Sequence, residues 1–141
     1  MNRIAIVDDS DINLTLLKAL VTKLGDCEPL PFQESPAGLA WCSANLPDLV
    51  IGDYMVPEID CSMWITRLRA VPGREEIPIL MITANDDRDV RYEALRLGAT
   101  DFLTKPVDRI EFSARVQNML ALGASRKKLA DKAAWLAAEV E

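Results

Sequence analysis

Arg3-Ile4-Ala5-Ile6-Val7-Asp8-Asp9-Ser10 opens the chain with a short, unbroken apolar run that ends on two carboxylates and a hydroxyl. A run of that length with no polar alternation reads as a strand buried on both faces. Three more runs have the same form and also end on polar residues: Leu49-Val50-Ile51 before Asp53, Ile79-Leu80-Met81-Ile82 before Thr83, and Phe102-Leu103 before Lys105. In an open sheet of this kind, ligands gather outside the carboxyl ends of the strands. The pattern therefore predicts one rim carrying Asp8, Asp9, Asp53, Thr83 and Lys105. Three carboxylates, a hydroxyl and an ammonium suit a divalent cation and a phosphoryl group.

The stretches between the runs have helical character. Helix 1 is expected from Ser10 or Asp11, with Leu16, Leu17, Leu20, Val21 and Leu24 on one face and Gly25 as its stop. A second strand is expected over Cys27 to Phe32, short and at a sheet edge, because Pro29 and Pro31 each remove a donor. Ser35-Pro36 reads as a helix start with Ser35 as the N-cap, running to about Asn45. Helix 3 is placed near Ser62 to Val71, before Pro72-Gly73, helix 4 from near Asp86 to Gly98, and helix 5 from Asp108. Alternating strands and helices predict an α/β, doubly wound, five-stranded parallel sheet with helices on both faces.

Composition narrows the function. The 141 residues suit one domain, and 27% charged residues with a net charge of −6 argue against direct nucleic-acid binding. There is no histidine, which excludes His-based catalysis and imidazole metal sites, and means that any phosphohistidine must come from a partner. Cys27, Cys42 and Cys61 show no metal or disulfide spacing and read as reduced thiols. With no signal peptide and no run near the roughly 20 apolar residues of a membrane span, a cytoplasmic protein is expected.

Residues 123–141 differ in character, being Ala-, Lys- and Glu-rich beyond Gly123 and free of proline. Leu129, Ala133, Leu136 and Val140 follow a coiled-coil spacing over about two heptads. This predicts a domain over 1–122 and a linker helix over 123–141.

A small hard cation such as Mg²⁺ takes oxygen ligands, and an Asp oxygen can attack phosphorus to form an acyl phosphate. Such transfer needs positioning and charge neutralisation more than acid–base groups. At this point Val7-Asp8-Asp9-Ser10, Asp53-Tyr54-Met55-Val56-Pro57, Thr83-Ala84 and Lys105-Pro106, in that order at strand ends, resemble the receiver domain of two-component response regulators. The resemblance spans about residues 3–122 and implies a flavodoxin-like sheet of order 2-1-3-4-5 with the last helix extended. It implies Asp53 as phospho-acceptor, and Mg²⁺ (with Mn²⁺ as a substitute) on Asp9, Asp53 and the Met55 backbone carbonyl, with Asp8 acting mainly through water. Lys105 and the Ala84 N–H would contact the phosphoryl oxygens, Thr83 and Phe102 would form the switch, and Pro106 would follow a cis bond. The implied partners are a sensor histidine kinase or histidine phosphotransfer protein, and a second copy through the helix 4–strand 5–helix 5 face or the C-terminal helix.

Two positions depart from the pattern. Cys61 stands where the family usually has Gly, which would cost about 1–2 kcal/mol if φ were positive. Phe102 lacks the hydroxyl of the common Tyr. The stretch from Leu129 to Leu136 is similar to linkers before cyclic-di-GMP phosphodiesterase domains of the HD-GYP type, with a diguanylate cyclase as the competing output.

Other readings exist. Asp8 could be a helix-start charge, Asp53 and Thr83 loop caps, Lys105 a solvated turn and Phe102 a plain strand residue. Trp41, Trp64 and Trp135 read as core or interface filler. A haloacid-dehalogenase-like phosphatase shares the Asp nucleophile but needs a second Asp where Met55 stands. A degenerate receiver serving only to dimerise would be expected to have lost a site residue.

Overall fold

The computed structural model describes residues 1–53, 61–83 and 88–140, without the side chains of 61, 62, 88–91, 94 and 125–140. The elements follow in strict alternation: β1 (Asn2–Val7), α1 (Asp11–Lys23), β2 (Cys27–Phe32), α2 (Ser35–Ala44), β3 (Leu49–Asp53), α3 (Cys61–Arg69), β4 (Ile79–Thr83), α4 (Arg88–Leu97), β5 (Asp101–Thr104) and α5 (Arg109–Val140). All four strand pairings are parallel and the order is β2-β1-β3-β4-β5. This is the expected doubly wound, flavodoxin-like sheet with five helices.

The inner strands are apolar up to their ends because helices cover both faces. On one face Ile4, Ile6, Leu49, Ile51, Leu80, Ile82 and Leu103 pack against Leu17 and Val21 of α1 and Phe112, Val116 and Met119 of α5. On the other, Ala5, Val7, Val50, Ile79 and Met81 pack against Cys42 of α2 and Trp64, Ile65 and Leu68 of α3. Trp64 is core filler whose Nε1–H donates to the Ser35 carbonyl at 2.9 Å. Trp41 is half-buried, with its ring centroid 5.8 Å from that of Phe32 and the Arg3 guanidinium 5.4 Å from its ring. Trp135 lies outside the described side chains.

Two local expectations need correction. β2 is at the edge but is not short: it has six residues, as many as β1. The carbonyls of Asp26 and Phe32 accept from the N–H groups of Asn2 and Asp8, so even-numbered positions face β1. Pro29 and Pro31 then face the open edge, where they remove no ladder donor and instead deny a foreign strand its partners. The N-cap of α2 is Glu34, not Ser35: Glu34 is extended (φ −110°, ψ 124°) and its carbonyl accepts from Gly38 N–H at 3.2 Å. Ser35 is turned into the core beside Trp64, so its hydroxyl is not placed to cap.

Smaller differences lie at helix ends. α3 stops at Arg69 rather than near Val71, and the expected start of helix 4 at Asp86 falls outside the described residues. Cys61 is the first residue of α3, and among the described non-glycine residues only Asp26 has positive φ (54°). α5 continues through Gly123 to Val140 without interruption. Among the described residues no helix is long and apolar enough to cross a membrane.

α2 lies close against the sheet at Gly38, where a Cβ would lie 2.7 Å from Val7 Cγ2. Val7 is β-branched, stiff and buried, so it cannot yield freely. Gly38→Ala is expected to lower stability by about 1–3 kcal/mol, seen as a lower denaturant midpoint at unchanged slope.

Candidate functional site

Four strand ends build the rim. Asp8 directly follows β1 and extends it by one bond, its N–H donating to the Phe32 carbonyl at 3.1 Å. Asp53 and Thr83 are the last residues of β3 and β4. Lys105 follows β5, and its N–H donates to the Thr83 carbonyl at 2.8 Å, which fixes where its side chain begins. The Lys105–Pro106 peptide bond is cis. The register sets β1 and β4 on either side of β3, so these residues converge although they are far apart in sequence.

The site is polar but largely closed to solvent. Asp8, Asp53 and Thr83 are buried, while Asp9 is exposed. One oxygen from each of Asp8, Asp9 and Asp53 lies within 4.8 Å of the others. Lys105 Nζ donates to Asp53 Oδ2 at 2.9 Å. Ser10 serves two groups: its N–H donates to Asp8 Oδ1 at 2.9 Å, and its Oγ accepts from Asn13 N–H at 3.3 Å to cap α1. Asp8 Oδ2 is buried with no hydrogen-bond partner.

Burial pushes the Asp8 carboxyl above its usual range, with Asp53 and Asp9 adding repulsion against the Ser10 N–H and Lys105. An orphaned carboxylate oxygen, flanked by two more carboxylates, is the donor set a divalent cation satisfies. The residues present therefore fit Mg²⁺. Met55 and Ala84, the two backbone groups named from sequence, lie outside the described residues.

Phe102 lies on β5 in register with Met81 of β4, half-buried against the α2–α3 side of the core. Thr83 pairs in register with Thr104, so the two proposed switch residues occupy neighbouring strands, with Phe102 two register positions back from the rim. What sequence reasoning missed is the backbone support of Asp8 by Ser10. Ser10 stands where the sequence starts helix 1, but its bond to Asp8 depends on how the chain turns after β1.

The raised Asp8 pKa has a sign. The folded chain holds this proton more tightly than the unfolded one, so without metal this contribution to stability falls as pH rises from the ordinary carboxylate range through the raised value. Asp8→Asn should remove that slope and stabilise the metal-free protein at neutral pH by about 1 kcal/mol. Mg²⁺ at about a hundred times its Kd should add about 2.7 kcal/mol to the native chain, and much less to Asp8→Asn. Thermal melts across pH, with chelator and with Mg²⁺, check all three.

The chain matches the family model described as the response regulator receiver domain over residues 4–117. It is 38% identical over 117 residues to response regulator PleD of Caulobacter vibrioides, covering 83% of this chain and 26% of that protein. It is 36% identical over 120 residues to the cyclic di-GMP phosphodiesterase response regulator RpfG of Xanthomonas campestris, covering 84% of this chain and 32% of that protein. The chain thus spans about a quarter to a third of the length of these relatives. Among solved structures, a response regulator receiver domain protein from Clostridium thermocellum superposes with a TM-score of 0.78 at 25% identity, over 92% of this chain and 99% of that one. A CheY-like receiver domain protein from Methanospirillum hungatei shares the fold, with a TM-score of 0.82 at 21% identity over 89% of this chain and 98% of that one. The chain belongs to the response regulator receiver domain family, the signalling module of two-component systems.

Proposed function

We propose that this domain is a phosphorylation switch, with Asp53 accepting a phosphoryl group from a partner histidine kinase or histidine phosphotransfer protein. The observation that carries the reading is the convergence of three carboxylate oxygens within 4.8 Å beside a lysine ammonium 2.9 Å from Asp53. Asp9, Asp53 and the Met55 carbonyl would hold Mg²⁺, with Asp8 acting mainly through water; Mn²⁺ would substitute. Bound there, the cation neutralises charge on the carboxylates and on the incoming phosphoryl oxygens.

Asp53 is the nucleophile. Its carboxylate oxygen forms the new bond to phosphorus as the bond to the donor imidazole nitrogen breaks, and the donor leaves with that electron pair. Lys105 exchanges part of its contact with Asp53 for the arriving phosphoryl oxygens. Thr83 and the Ala84 N–H donate hydrogen bonds to the same group. Ile12 (81% exposed) and Leu16 (48%) lie on α1, which begins just after Asp9 and Ser10, and this apolar surface near the rim favours a protein donor.

Drawing Thr83 toward the phosphoryl group vacates space into which Phe102 rotates, and this biases the α4–β5–α5 face between two states. Phe102 acts by packing alone, since it has no hydroxyl. We assign residues 1–122 to the switch and 123–141 to a linker helix, with signalling through a second copy by the α4–β5–α5 face or the C-terminal helix. The linker similarity and the relative RpfG support an output in cyclic-di-GMP metabolism. The work would be done in the cytoplasm, with no direct contact to nucleic acid or membrane.

Incubation with acetyl phosphate and Mg²⁺, read by intact mass, should add one phosphate to the native chain and none to Asp53→Asn. Chelator should prevent the gain. A gain that persists in Asp53→Asn, or no gain at all, would sink the assignment, and multiple turnover of a phosphomonoester would favour a phosphatase instead.

A further inference from the structure

The three carboxylates of the rim are not held alike. Asp8 is fixed twice, by its own N–H on the Phe32 carbonyl and by the Ser10 N–H on its Oδ1. Asp53 ends a paired strand and receives Lys105 Nζ. Asp9 is exposed and lies between β1 and α1, in neither element. Among the described residues it has one hydrogen-bond partner: Gln33 Nε2 donates to the Asp9 carbonyl at 3.3 Å.

Gln33 comes from a loop with little freedom. Only Gln33 and Glu34 separate β2 from α2. Phe32 before them is tied to Asp8 by its carbonyl and packs its ring beside Trp41 of α2, while Glu34 after Gln33 is the N-cap of α2. The Gln33 amide is therefore presented from a fixed main chain. Two consecutive residues at the end of β2 hold the main chains of Asp8 and Asp9 in turn.

We propose that Gln33 is a positioning residue for the divalent cation: by fixing the Asp9 main chain it sets where the Asp9 carboxylate stands. It does so without touching the cation. The role rests on the reading of Asp9 as a ligand given above, and adds selectivity to it. Mg²⁺ demands near-ideal octahedral geometry at short oxygen distances, whereas Ca²⁺ accepts more oxygens in looser arrangements. A carboxylate on a loosely tied turn would serve Ca²⁺ nearly as well as a fixed one, and Mg²⁺ much worse. Gln33 therefore favours the smaller ion. Partners that orient a metal ligand commonly change metal affinity by about 10- to 100-fold, and an exposed bond of 3.3 Å belongs at the low end.

Titration calorimetry of the chelator-stripped full chain with Mg²⁺ and, separately, with Ca²⁺ tests this. Gln33→Ala should weaken Mg²⁺ binding about tenfold and Ca²⁺ binding much less. Gln33→Glu, of nearly the same shape, turns the donor into an acceptor and adds a negative charge. That charge alone would strengthen both ions alike, so the ratio of Mg²⁺ to Ca²⁺ affinity cancels it and should fall as in Gln33→Ala. Gln33 is exposed, so both variants should melt with the native chain in chelator. An unchanged Mg²⁺ affinity in Gln33→Ala, or an equal loss for both ions, would overturn the proposal. Asp9→Ala separates the two readings. If it leaves Mg²⁺ affinity unchanged, the ligand assignment itself falls; if it weakens Mg²⁺ and Gln33→Ala does not, only the role of Gln33 falls.

Discussion

Three carboxylates crowded at the end of a buried sheet are the constraint around which the site is organised. One oxygen of each lies within 4.8 Å of the others, a spacing at which like charges repel. Lys105 offsets part of that through Asp53, and the Ser10 N–H offsets part through Asp8. Neither reaches Asp8 Oδ2, which stays buried and without a partner. The rim is therefore a crowded arrangement, with a donor set that a divalent cation would satisfy.

The sheet is what holds that crowding in place. β1 and β3 are fully apolar over their paired residues and covered on both faces, so the ends carrying Asp8 and Asp53 cannot drift apart. Lys105 is held from a third direction, by its backbone bond to the Thr83 carbonyl. The same β4–β5 pairing that seats Lys105 also places Phe102 beside Met81. The rim and the packing of the α2–α3 face are thus joined through one short strand.

The open edge of the sheet next to β2 is guarded by the parity of its prolines. Pro29 and Pro31 face outward on β2 and leave that edge poor in donors. α5 by contrast carries an exposed leucine where the domain ends.

Much of this was legible before any coordinates. Runs such as Ile4–Val7 and Ile79–Ile82 have no polar alternation, so they had to be interior strands, and the polar residue after each run had to fall at a strand end. Fold class, strand order by resemblance, and the five rim side chains followed from that. Local signals failed where a tertiary partner outweighed them. Ser35 is a good cap by type, yet it is buried and Glu34 takes the cap position. Two prolines weaken a strand only if they face its neighbour, and the parity of β2 against β1 decides that. Distances between carboxylates, the orphaned Asp8 oxygen and its raised pKa belong wholly to the tertiary structure, because burial and proximity are properties of the packed rim. Sequence alone determined which groups reach the rim; only packing decided how closely they crowd, and so how strongly they call for a cation.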